Sequence, residues 1–129
     1  MIQKAIAILV AMLLFPALSM GAQVEGSIQG LTCVLYGKTC PVGKEDVIAA
    51  LEKNFVLYTD DGTAYSISNI GSQILSRYLN KVVRATGEVN KEKKSIYAEK
   101  LEVREKGDWK MIWSEDMERE ARKYLGIGP

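Results

Sequence analysis

The alternation of apolar and polar residues in this chain loses step twice, and those two slips restrict what its strands can build. Val24, Gly26 and Ile28 fall on even positions, as in a half-buried strand, whereas Leu31, Cys33 and Leu35 fall on odd ones. The change lies beside Gly30, which reads as a bulge or sharp bend in one long first strand. A second slip separates Ala98 from Leu101 within a strand at 95–103. Side chains alternate with a period of two, so each slip implies an extra residue and a local bend. Two such bends are what an antiparallel ribbon needs to curl on itself.

The intervening segments fit that ribbon. Strands at 54–59 and 63–70 are joined by Asp60-Asp61-Gly62, a three-residue hairpin loop with glycine in the left-handed position. This loop length puts Phe55, Leu57, Tyr65 and Ile67 on the core face, and Val56, Tyr58, Ala64 and Ser66 on the other. Pro41-Val42-Gly43 breaks the chain before a short helix at 44–53 with Val47, Ile48 and Leu51 apolar. A second helix, 72–81, is read as capped by Ser72 and as burying Ile74, Leu75, Tyr78 and Leu79. The strand at 81–89 turns Val83, Ala85, Gly87 and Val89 inward and Arg84, Thr86 and Glu88 outward; 90–94 is a charged turn. Trp109, Met111 and Trp113 alternate onto one side of a short segment. Ser114 then caps a helix at 115–125, supported by Glu115/Arg119 and Glu118/Arg122 and ended by Gly126.

The first 22 residues read as an address. Lys4 precedes 18 uncharged residues, 5–22, broken late by Pro16, with Ser19-Met20-Gly21 as a small-x-small cleavage site. An export signal over 1–22, cleaved after Gly21, is expected, and with it a periplasmic or secreted protein without stable membrane insertion. No cysteine stands directly after the site, so no lipoprotein anchor is expected. The competing reading is an uncleaved anchor at the lower edge of spanning length. In an exported chain Cys33 and Cys40, the only cysteines, read first as a disulfide. Chain entropy for so short a loop gives about 2.5 kcal/mol. The other use of the pair is redox-responsive or metal-associated.

Composition narrows the chemistry. Histidine is absent, which removes the commonest general base and metal ligand. Without Lys4 the chain has 16 basic and 16 acidic residues, so it lacks the positive field that nucleic-acid binding needs. Asp60 with Asp61, and Glu115 with Asp116, are explained by a turn and a helix N-terminus. No phosphate loop or nucleophile motif occurs, so neither catalysis nor a cofactor is expected.

The element order describes a mainly β, five-stranded OB-type Greek-key barrel. It has a helix between strands three and four, a helical insertion between strands one and two, and a C-terminal helix. VEGSIQGLTCVLYGKTCP, NFVLYTDDG and KVVRATGEVN with SIYAEKLEV resemble small exported bacterial OB-fold (BOF-like) proteins of poorly defined function, over about residues 24–103. The resemblance implies a barrel at 23–104, an appendage at 105–129, and a non-catalytic exported binding or protein-interaction module. On the usual ligand face of such barrels Tyr58 is the candidate stacking residue, with Ser66, Arg84 and Lys94 as polar neighbours. Its alternative is to cover the barrel wall or to pack under the appended helix. Trp109 and Trp113 are candidates for docking a partner, or for fixing the appendage to its own barrel. The expected partner is a small ligand or an envelope protein.

Overall fold

The hairpin at 55–67 decides which side of the sheet faces the core. Gly62 takes φ +84°, its amide donates to the Thr59 carbonyl at 3.0 Å, and the Thr59 amide donates to the Thr63 carbonyl at 2.9 Å. The Asp61 carboxylate accepts from the Thr59 hydroxyl and the Thr63 amide. Hydrogen bonds from these two threonines hold its pKa below the ordinary value. The loop pairs Leu57 of β2 (Phe55–Tyr58) with Tyr65 of β3 (Ala64–Ile67). Phe55, Leu57 and Ile67 are buried, as the hairpin register requires.

A computed structural model describes residues 21–128. The export signal read over 1–22 lies almost wholly outside the described residues. β1 (Ala22–Gly30) pairs antiparallel with β2 on one side and with β4 (Val82–Asn90) on the other. β5 (Ser95–Glu105) follows β4, and β6 (Asp108–Ser114) follows β5, giving the order β3-β2-β1-β4-β5-β6. A short parallel contact also joins Ser66 and Ile67 of β3 to Ser95 and Ile96 of β5. The helices are α1 (Leu31–Leu35), α2 (Glu45–Leu51), α3 (Ser72–Leu75) and α4 (Glu115–Leu125). Ile28, Leu57, Val83, Ala85, Ile96, Ala98 and Leu101 form the fully buried centre. No described helix is long and apolar enough to cross a membrane.

This architecture corrects the five-stranded OB-type barrel expected from the sequence. The sheet has six strands with four helices interspersed, and it runs out to β6, which pairs with β5 from Lys100–Ser114 to Glu105–Asp108. The long bent first strand is also corrected: β1 stops at Gly30, and 31–35 is helical. Leu31 and Leu35 satisfy both readings, since a spacing of four fits one helical face as well as strand alternation. Ser72 does not cap α3. Gly71 holds that position, and the Ser72 hydroxyl instead donates to the Lys53 carbonyl at 2.8 Å. At the other end of the chain the Ser114 hydroxyl does accept from the Met117 amide at 3.1 Å, and Gly126 closes α4 at φ +67°. Arg122 pairs with Glu118 at 3.0 Å, but Arg119 pairs with Asp116 at 2.9 Å and not with Glu115.

The second slip is a true bulge. Thr86 faces Lys100 while Gly87 faces Ala98, leaving Glu99 as the extra residue. A methyl group on Gly87 would collide with the Tyr97 carbonyl oxygen and lie 2.9 Å from the Ala98 Cα. Only glycine lets β4 and β5 approach this closely.

The segment between β1 and β2 is pinned to the sheet by polar contacts. Cys33 and Cys40 form the expected disulfide, with Cα atoms 5.4 Å apart. Gln29 is buried; its Oε1 accepts from the Cys40 amide at 2.7 Å, and its Nε2 donates to Ser27 Oγ and Asn80 Oδ1. The Glu52 carboxylate accepts from the Thr32, Lys53 and Asn54 amides at 3.0–3.1 Å, tying the start of α1 to the entry of β2.

Two predictions follow from these contacts. Gly87→Ala should destabilise the fold by about 1–3 kcal/mol or more in urea unfolding, whereas Gly128→Ala, with nothing within 4 Å of the added carbon, should change it by less than about 0.5 kcal/mol. For Glu52, burial pushes the pKa up, but the donors of Thr32, Asn54 and Lys53 outweigh it and hold the group below its ordinary 4.5. A depressed folded pKa stabilises above the unfolded value and is lost as pH falls through it. The urea midpoint should therefore drop below about pH 4.5, and Glu52→Gln should flatten that part of the profile while lowering the midpoint at neutral pH.

Candidate ligand groove on the outer sheet face

Register places one side chain from each strand into rows across the outer face. Tyr58 of β2 lies opposite Ser27 of β1, and Ser27 opposite Val82 of β4. Since Val83 faces Val103, the next outward residue on β5 is Arg104, which faces Trp109 of β6. The adjacent row runs Glu25, Arg84, Glu102, Met111. Tyr58, Ser27, Val82 and Arg104 line a groove of about 670 Å³, flanked by Glu25 and Asp60. Thr39, next to the disulfide, forms part of its wall. The cross-link thereby fixes a loop at the groove as well as closing a ring of chain.

The expected site residues are distributed as follows. Tyr58 lies in the groove, half-buried. Arg84 is engaged beside it: its guanidinium donates to Glu102 at 3.1 Å and stacks 4.4 Å from the centre of the Trp109 ring. Ser66 is apart from both, its amide donating to the Lys94 carbonyl at 2.9 Å on the far side of the hairpin. Lys94 sits in the β4–β5 turn at φ +52° and does not line the groove. Arg104 is the charged neighbour that the sequence reading missed. It follows the inward Val103 by one position, but only the β4–β5 register brings it into the row of Tyr58.

Trp109 and Trp113 do not share a face. The β5–β6 register shifts between Leu101 and Glu102, so Trp113 faces the inward Leu101 while Met111 and Trp109 face the outward Glu102 and Arg104. Ile112 is the extra residue. Trp113 is 5% exposed, and its indole N–H donates to Glu118 at 3.0 Å. This bond holds α4 across a second cleft of about 400 Å³ lined by Asn69, Tyr97, Arg119 and Arg122. The Asn69 amide group bonds both backbone atoms of Ala98, at 2.6 and 2.8 Å.

Protein-family models, curated proteins and solved structures give no match to this chain. The likeness to small exported OB-fold proteins is therefore withdrawn together with the barrel. The exported binding or interaction module inferred from that barrel's usual ligand face falls with them. The disulfide stands.

The Trp113–Glu118 bond carries its own test. Trp113→Phe keeps the buried ring but removes the donor, and should cost roughly 1 kcal/mol. Amide exchange should accelerate through 115–125 and stay slow in β1, β4 and β5. Unchanged exchange in α4 would show that the indole bond does not hold it.

Proposed function

We propose that this protein, placed outside the cytoplasm, holds a small polar ligand in the groove between Tyr58 and Arg104, a reading that rests on the concavity itself and not on the ligand face of a barrel. The observation that carries the reading is the convergence of side chains from β1, β2, β4 and β5, with Thr39 of the disulfide loop, on one concavity of about 670 Å³. Concavities of this size take small molecules, and a few polar groups fix their orientation. Tyr58 offers a ring face, Arg104 a guanidinium fork, and Glu25 and Asp60 carboxylates. Groups of both signs suit a zwitterionic ligand such as an amino acid or the end of a peptide. The same acids would repel a phosphate backbone, which disfavours nucleic acid.

Extracytoplasmic placement is supported by the uncharged run after Lys4 and by a disulfide, which persists in oxidising compartments.

The test is a ligand-observed NMR screen of the protein with amino acids and short peptides. A hit should shift the amides of Ser27, Tyr58 and Val82, and Tyr58→Ala should weaken it about tenfold, the value of one aromatic stacking contact. Hits that map elsewhere, or that Tyr58→Ala leaves unaltered, would overturn the reading.

A further inference from the structure

Beyond Arg104 the surface changes character. Arg77 of the 3₁₀ turn Ser76–Tyr78, Lys81 at the entry to β4, Arg104 of β5 and Lys106 of the β5–β6 turn all line one cleft of about 620 Å³, with Tyr78 at its wall and Glu105 as its only acid. Among the described residues none of these four cations has an ion-pair partner, whereas Arg84, Lys100, Arg119 and Arg122 all do. The chain after Lys4 balances 16 basic with 16 acidic residues. Four cations against one carboxylate is thus a local concentration, and not the average surface.

The backbone holds these groups in place. The Lys81 carbonyl accepts from the Ile28 amide at 3.1 Å, and the Asn80 amide donates to the Ile28 carbonyl at 2.8 Å. The Lys81 amide returns to the Tyr78 carbonyl at 2.9 Å. Lys106 and Gly107 turn the chain at φ +50° and +84°. Two separate parts of the sequence, 77–81 and 103–106, therefore present like charges into one space on a rigid frame. Glu105 in the cleft and Glu45 near Lys81 offset only part of this positive charge, which favours entry of an anion.

We infer that this cleft is a binding site for a multiply charged oxyanion, of the phosphate class, held by the guanidinium groups of Arg77 and Arg104 and the ammonium groups of Lys81 and Lys106. Two guanidinium groups supply planar, paired donors that match the oxygens of a tetrahedral anion, and the lysines add point charge. The half-buried Tyr78 ring gives the site an apolar side. The site goes beyond the groove reading, sharing only Arg104 with it. A free phosphorylated solute and a phospholipid headgroup present the same chemistry.

The experiment titrates the protein with tripolyphosphate at low salt by calorimetry, beside flotation on phosphatidylglycerol vesicles. Saturable binding of tripolyphosphate that weakens with added salt is expected. The Arg77→Gln/Lys81→Gln double variant should lose about tenfold in affinity, and Lys93→Gln, in the β4–β5 turn, should lose none. Binding of tripolyphosphate without vesicles assigns a soluble ligand. Vesicle binding that tripolyphosphate competes away, and that the double variant lacks, assigns a headgroup. No saturable binding of either, or an equal loss in Lys93→Gln, overturns the inference. Arg77 and Lys81 lie outside the groove, so that result would leave the Tyr58 reading standing.

Discussion

Where Gly87 meets Ala98 the backbones of β4 and β5 come too close for a methyl group, and the direction of β5 depends on that contact. With Glu99 as the extra residue, β5 bends within its own length. Its second edge is then divided among three partners: β6 takes 100–105, the Asn69 side chain takes Ala98, and β3 takes 95–96. A side chain amide here completes a row of backbone bonds that no strand reaches. The buried centre formed by Ile28, Leu57, Ile96 and Leu101 is enclosed as a result.

The same bend arranges charge on the outside. Because register carries across neighbouring strands, residues distant in sequence stand side by side, as Tyr58, Ser27, Val82 and Arg104 do. Arg84 is absorbed by Glu102 and the Trp109 ring. Arg104, two residues beyond Glu102 on the same strand, borders both the mixed-charge groove and the cationic cleft. A single guanidinium therefore links two regions of different electrostatic character.

Some of this was legible in the residues. Asp-Asp-Gly specified the hairpin register, and Leu57 opposite Tyr65 followed from it. The phase change from Ala98 to Leu101 located the bulge, and Ser114 with Gly126 marked both ends of α4. Other features were hidden for physical reasons. The 31–35 segment satisfied two periods at once, and only packing resolves it into helix. Ser72 looked like a cap because local sequence cannot show that its hydroxyl is committed to Lys53, 19 residues away. The groove was half visible: Tyr58 was found, but Arg104 needs the β4–β5 register, which depends on the bulge. Asn69 carried no periodic signal, since its role is set wholly by a strand distant in sequence.

Ile112 shows how parity can govern the placement of a whole segment. As the unmatched residue between Met111 and Trp113, it sends everything after it to the opposite side of the sheet from Trp109. Exchanging Ile112 for another amino acid leaves that count intact. Deleting it would swing the indole of Trp113 outward and launch the terminal helix from the wrong surface. At this point in the chain, length is under tighter constraint than identity, and single-residue gaps are the changes that would redraw the molecule.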